Sequence, residues 1–176
     1  MPRVSTPIRA VLALRRRAAK LIAIDGKTGV GKSTLARLLS TRLQLEVVHL
    51  DAFLRSGRGT YVTSLRLNRL RRKVNVAQRC LVEGVCVLRV LELLGKRPDA
   101  LVYVKRMSGA RWTDEDELDV STPVEEHLAQ LLQEMEPFAH ALNEPCTLGV
   151  AEEVIRYHAQ YKPHKIAVLE YLRSDA

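Results

Sequence analysis

Eight consecutive residues, Gly26-Lys27-Thr28-Gly29-Val30-Gly31-Lys32-Ser33, restrict what this chain can fold into more than anything else in it. They fit the spacing G-x-x-x-x-G-K-[S/T]. Before them lies a short apolar run, Lys20–Asp25, with the length and composition of a buried parallel strand. After them, Leu35, Leu38, Leu39 and Leu43 recur along Lys32–Leu43 on one face of a helix. A strand, a glycine-rich turn and a helix in immediate succession begin a strand–helix–strand unit, and such units build parallel sheets.

The turn also has a chemistry. Its glycines let the backbone wrap closely round an oxyanion so that successive N–H groups point inward, and the helix behind it adds the partial positive charge of its N-terminus. In a loop of this kind Lys32 reaches the β- and γ-phosphates, the Ser33 hydroxyl ligates magnesium, and Thr34 supplies a hydroxyl or backbone donor to an earlier phosphate. Gly26, Lys27, Thr28, Gly29, Val30, Gly31, Lys32, Ser33 and Thr34 are therefore the expected nucleotide-binding residues, for ATP or GTP with Mg2+. An Asn-Lys-x-Asp element that would read guanine is absent from the sequence.

The alternation continues downstream. Leu45–Leu50 reads as a second strand ending at Asp51, Ser56–Thr60 as a loop, and Tyr61–Val74 as a basic helix. Gln78–Glu83 reads as a third strand stopped by Gly84, Val85–Leu94 as a helix, and Ala100–Lys105, beyond Gly95 and Pro98, as a fourth strand. Residues 7–19 read as a leading helix, because Ile8–Ala19 lacks a cleavable apolar core and runs straight into a strand. In the last third, Thr122-Pro123-Val124-Glu125 offers an N-cap, a first-turn proline and a capping-box glutamate for a helix running toward Glu136, where Pro137 bends or ends it. A further helix spans Val150–Tyr161 and stops near Pro163, while Lys165–Leu172 fits either a helix or an edge strand. The expected architecture is a three-layer α/β P-loop fold, a parallel sheet with helices on both faces, in one domain over 1–176.

Two acids stand at the carboxyl ends of predicted strands, where ligands of open α/β sheets bind. Glu83 closes Cys80-Leu81-Val82-Glu83 and suits the magnesium side of the site; the same carboxylate would also serve as an N-terminal charge for the following helix. Asp51 follows Glu46-Val47-Val48-His49-Leu50. There it can accept a proton from an attacking hydroxyl or help position magnesium, and a capping role at the strand-to-loop turn is the plainer reading. Asp25-Gly26 lies at a third strand end, so one crevice could gather all three acids. His49 alternates with apolar neighbours and reads as a buried supporting histidine.

Charge is unevenly placed. Of a net +8, residues 1–20 supply six basic side chains and no acid, and Arg55–Val82, also acid-free, carries eight more. Such stretches suit phosphate-bearing ligands, nucleic acid or an acidic partner, and equally a solvated helix face. Cys80, Cys86 and Cys146 show no metal-ligand spacing and fit a reducing, cytoplasmic compartment. No apolar run approaches the ~20 residues that span a bilayer, so no membrane is expected.

Taken together, the P-loop, "VVHLDAFL" at Val47–Leu54 and "LVEGVCVLRVL" at Leu81–Leu91 resemble the small P-loop kinases of the uridine kinase and nicotinamide riboside kinase type, and "DALVYVKR" at Asp99–Arg106 looks like that family's strand before the lid. The resemblance implies that Asp51 lies by the acceptor hydroxyl, Glu83 near substrate or metal, and Phe53 at the acceptor site. It also implies that Lys105, Arg106 and Arg111 begin a lid over about 106–120 whose arginines neutralise transition-state charge. A solvated, salt-bridged loop is the alternative there, since Trp112 and the acidic run Asp114–Asp119 follow. Leu54 replaces the family's second aromatic, and the segment between Leu54 and Arg79 has room for one loop and one helix. Arg58 and Tyr61 are the acceptor-site candidates within it; a loop arginine and a packing tyrosine are the plainer readings. Tyr157, His158, Tyr161 and Lys162 either border the nucleotide base or pack in the core.

The expected function is transfer of the ATP γ-phosphate to a hydroxyl of a small molecule such as a nucleoside, sugar or cofactor precursor. Asp51, Lys32, Arg106 and Arg111 would be catalytic, Asp51, Phe53, Arg58, Tyr61 and Glu83 would bind the acceptor, and Ser33, Glu83 and Asp51 would hold the metal. The alternative is an NTP-binding switch or ATPase whose basic stretches engage nucleic acid or a protein partner.

Overall fold

The computed structural model describes residues 2–56 and 60–174. Six strands run parallel in the order β1 (Arg3–Val4), β7 (Leu169–Ser174), β5 (Ala100–Ser108), β2 (Leu21–Asp25), β4 (Cys80–Glu83), β3 (Glu46–His49), and β6 (Arg111–Trp112) folds back antiparallel on β5. Alternation along the strands sorts their side chains onto two faces. Ile22, Ile24, Leu81, Val102 and Val104 join a core with the helices α1 (Pro7–Arg15) and α2 (Lys32–Leu43). Ala23, Val82, Leu101 and Tyr103 join a second core with α3 (Leu67–Val76), α4 (Val87–Leu93) and α7 (Val150–Tyr161). The fold is therefore a three-layer α/β sandwich. No helix among the described residues is long and apolar enough to cross a membrane.

The helices α2 and α7 and strand β2 fall where periodicity and turn residues place them, and other elements depart from the pattern. The helical reading of Tyr61–Val74 is replaced by a turn followed by α3. Leu54 and Leu65 pair as an isolated antiparallel bridge, Arg55 N donates to Ser64 O at 2.9 Å, and Arg66 N donates to Phe53 O at 2.9 Å. Tyr61, Val62 and Leu65 are buried by this reversal, and their burial outweighs local helical preference. The fourth strand runs on to Ser108 because β6 pairs with its end, and the short helix α5 (Glu115–Leu118) follows β6. The tail is neither helix nor edge strand throughout: α8 (Pro163–Ile166) precedes β7, which lies inside the sheet between β5 and β1.

The capping box at Thr122 does not form. Pro123 occupies the N-cap of α6 (Val124–Leu142) without a side-chain cap, and Glu125 instead accepts hydrogen bonds from the Arg156 guanidinium. Nor does Pro137 end α6, which continues to Leu142 on a stretch that projects into solvent. There water can reach the carbonyl that proline leaves without a partner.

Close packing behind the strand ends fixes where Asp51 goes. After β3 the chain enters a 3-10 turn, Leu50–Phe53, whose Leu50 is fully buried. A β-carbon at Gly84 would lie 2.8 Å from both Cβ and Cδ1 of Leu50, so the end of β4 and this turn touch with no room for a methyl group. Gly84→Ala is expected to destabilise the fold by about 1–3 kcal/mol in denaturant unfolding. In a Leu50→Ala background the same change should have a smaller effect, because the truncation removes Cγ and Cδ1 and leaves only the contact with Cβ; equal effects in both backgrounds would refute the clash with the end of the Leu50 side chain.

Candidate functional site

The loop 26–31 leaves β2 and enters α2 at the carboxyl rim of the sheet, between the ends of β5 and β4. Its first glycine has no alternative: at φ +146° a β-carbon on Gly26 would lie 2.6 Å from the carbonyl oxygen of Val104. Val30 tucks its side chain into the core below, which anchors the loop from beneath. In this conformation Lys32 donates from Nζ to the carbonyl of Lys27 at 2.6 Å, and Ser33 Oγ donates to Glu83 Oε1 at 3.0 Å.

Sheet register brings the acids together. Ile24 on β2 and His49 on β3 both lie opposite Glu83 on β4. His49 donates from Nδ1 to Glu83 Oε1 at 2.5 Å and so orients the buried carboxylate; the imidazole itself is only half-buried. Asp51, one 3-10 residue further on, is exposed at the cavity and accepts a 2.6 Å hydrogen bond at Oδ1 from Tyr61 OH. Tyr61 is in turn held by the turn at 60–65, where buried Glu153 on α7 accepts from Thr60 Oγ1 at 3.2 Å and from Val62 N at 3.3 Å.

A cavity of about 550 Å³ joins these pieces, lined by Thr28, Gly29, Gly31, Lys32, Ser33, Thr34, Asp51, Leu54, Tyr61, Glu83, Gly84, Val85, Val150 and Arg173. Most of the residues expected from the loop spacing line it, together with both expected acids and Tyr61. Phe53 does not: it packs in the core, and Leu54 faces the cavity instead. Arg58 lies outside the described residues.

Arg106 and Arg111 do not line the cavity either. Arg106 is in register with Arg173 on the neighbouring strand, and Arg111, largely exposed, pairs with Asp116. The segment after β5 is packed against the body, with Trp112 and Leu118 buried. Its acids hold the loop directly: Lys27 Nζ bonds Glu117 and lies 3.5 Å from Asp114. Lys105 pairs with Glu170 at 2.6 Å and sits over the Trp112 ring.

Tyr157 and His158 are core residues. His158 Nδ1 donates to Val154 O at 2.7 Å, so Nε2 accepts from Tyr103 OH at 2.8 Å, and burial pulls this imidazole down to about 4, which keeps it neutral. Tyr161 bonds Glu92, and Lys162 ends α7 in a left-handed conformation.

One residue and one property escaped the sequence reading. One is Arg173, on β7; had β7 been placed inside the sheet, the strand-end rule would have put it at this rim. The other is the depth of Asp25, which is fully buried, accepts from Gly26 N at 2.8 Å and from Tyr157 OH, and feels the charge of Lys32. Desolvation pushes its carboxyl up to about 6, although those hydrogen bonds and Lys32 pull the other way. Lys32 is lowered by its own burial while Asp25, Glu83 and Asp51 hold it up.

A hydroxyl beside two carboxylates is a hard-oxygen set that suits magnesium. No cluster of three or more His, Cys, Asp and Glu side chains able to hold a metal by themselves occurs among the described residues.

No family profile matches the chain, and no curated protein matches it. Among solved structures it is similar to a possible uridine kinase from Bacillus stearothermophilus, at 14% identity over 94% of this chain and 100% of that one, with a TM-score of 0.47. It is also similar to an uncharacterized protein from Eubacterium ventriosum, at 12% identity over 88% of each chain, with a TM-score of 0.43. Likenesses this loose assign no residue.

The buried Asp25 makes stability depend on pH. Between about pH 4 and 6 the folded chain keeps a proton that the unfolded chain, with its carboxyl near 3.8, has released. Stability from this group therefore falls as pH rises through that window and is level above it. Relative to Asp25→Asn, the wild type should lose about 2–3 kcal/mol between pH 4 and pH 7 in denaturant unfolding. The amide's altered hydrogen bonding offsets both pH values alike, so a difference that does not change with pH would contradict a raised carboxyl.

Proposed function

We propose that the chain, acting as one domain, is an ATP-dependent phosphotransferase that moves the γ-phosphate to a hydroxyl of a small molecule, such as a nucleoside, a sugar or a cofactor precursor. The observation that supports it is the convergence, in one cavity, of the glycine loop, Lys32, the Ser33–Glu83 pair and the Tyr61–Asp51 pair. The backbone N–H groups of the loop, the N-terminus of α2 and Lys32 bind the triphosphate, displacing the Lys32 ammonium from the Lys27 carbonyl. Ser33, Glu83 and Asp51 would hold Mg2+, which would supply charge neutralisation for the triphosphate. His49 keeps Glu83 turned toward Ser33.

Asp51 is the candidate base. Its Oδ1 is engaged by Tyr61, which fixes the carboxylate and leaves Oδ2 to take the proton of an incoming hydroxyl. Leu54, Tyr61, Val85 and Val150 provide the apolar wall of the acceptor side. In-line placement of hydroxyl and phosphoryl group supplies most of the acceleration. GTP fits the same cradle as ATP. The three cysteines are free, in keeping with a reducing compartment such as the cytoplasm.

Purified protein incubated with ATP, Mg2+ and a panel of nucleosides, sugars and cofactor precursors should release ADP in an acceptor-dependent manner, and chelation of the metal should stop it. Asp51→Asn should lower turnover by roughly 10²-fold or more while ATP still binds, and Lys32→Ala should lose ATP binding. Wild-type turnover in Asp51→Asn removes Asp51 as base. Hydrolysis stimulated by nucleic acid, with no acceptor-dependent ADP, would replace the kinase with an NTP-driven switch.

A further inference from the structure

Three sources of positive potential meet at one side of the glycine loop. Two belong to the loop itself: the backbone N–H groups and the start of α2. The third comes from the far end of the sequence. Arg173, near the carboxyl end of β7, reaches back across the rim and donates from Nη1 to the carbonyl of Gly29 at 3.4 Å. Its side chain lies against the loop where Gly31 has no side chain. A β-carbon there would stand 2.7 Å from Arg173 Nη1 and 3.1 Å from its Cδ, so Gly31, at φ +96°, makes room for this arginine as well as for the turn.

A guanidinium has five N–H donors. Among the described residues Arg173 has a single hydrogen bond, a long one, and no carboxylate pairs with it. The neighbouring cations differ: Lys27 is neutralised by Glu117 and Asp114, Lys105 by Glu170, and Lys32 is surrounded by Asp25, Glu83 and Asp51. Arg173 is the cation lining the cavity for which the described residues provide no acid, and it lies beside a cradle built for a polyanion.

We infer that Arg173 binds the polyphosphate of the nucleotide, so that β7 supplies the second side-chain cation of the cradle in place of Arg106 and Arg111. The inference rests on the phosphate-binding reading of the loop and names a further residue of that same site. Parallel pairing makes it geometrically natural. β7 is bonded to β5 in register from Val102↔Leu169 to Met107↔Ser174, so its last residues reach the rim beside which the loop emerges from β2. A planar fork also suits phosphate oxygens better than a single ammonium does.

The test is calorimetric titration of the full chain with MgATP and, separately, with magnesium tripolyphosphate, which has no base or ribose. Wild type, Arg173→Ala, Arg173→Lys and Lys32→Ala are compared, with melting temperature as a check on folding. Arg173→Ala should weaken both ligands by about tenfold. Arg173→Lys should recover part of the loss, because it keeps the charge without the fork. An unchanged tripolyphosphate affinity in Arg173→Ala, with Lys32→Ala abolishing binding, overturns the assignment. If ATP alone weakens, the arginine faces the base or ribose, and the assignment is overturned in that case too. A wild type that binds neither ligand removes the inference together with the loop reading, whereas loss of binding in Lys32→Ala without loss in Arg173→Ala removes the inference alone.

Discussion

One buried ammonium group organises the rim of this sheet. Lys32 is only 8% exposed, and a lone charge at that depth would be driven toward its neutral form. It stays compatible with the fold because Asp25, Glu83 and Asp51 surround it and because its own loop offers the Lys27 carbonyl. None of these acids is a sequence neighbour of Lys32. Asp25 and Glu83 arrive from adjacent strands whose register places Glu83 beside Ile24, and Asp51 arrives on a 3-10 turn wedged against Gly84. The cation thus depends on strand pairing, and the pairing ends there in a charge cluster that needs it.

A single helix steadies both halves of the cluster. Tyr157 of α7 donates to Asp25 beneath the glycine loop. One turn earlier, Glu153 captures Thr60 and Val62, and so fixes the turn that carries Tyr61 to Asp51. The glycine loop and the Tyr61–Asp51 pair, on two sides of the cavity, are therefore braced by residues four apart on one face of one helix. Val150, at the start of the same helix, lines the cavity itself.

The packed segment after β5 changes what surrounds the loop. Its acids are bonded to Lys27, and its Trp112 and Leu118 are part of the core, so in this structure it serves as a brace on the glycine loop. Cationic reach into the cavity comes instead from β7, on the strand next to the one that carries Arg106.

What the sequence determined by itself was local. The glycine loop, the strand before it, the helix after it and the acids at two strand ends were all legible, because each rests on a short-range pattern: glycine spacing, apolar runs and 3.6-residue periodicity. The helix Val150–Tyr161 was legible for the same reason. Tertiary structure alone decided the rest. The turn at 60–65 overrode a helical pattern because burying Tyr61, Val62 and Leu65 outweighs local propensity, and Glu125 left its capping box for a guanidinium thirty-one residues away. Phe53 turned into the core while Leu54 took the cavity wall, a choice made by neighbours rather than by residue type. The strand β7 inserts between β5 and β1, and that pairing is what carries Arg173 to the loop. Short-range patterns select the glycine loop; which charges face it is set by contacts between segments far apart in the chain, and no local pattern encodes those.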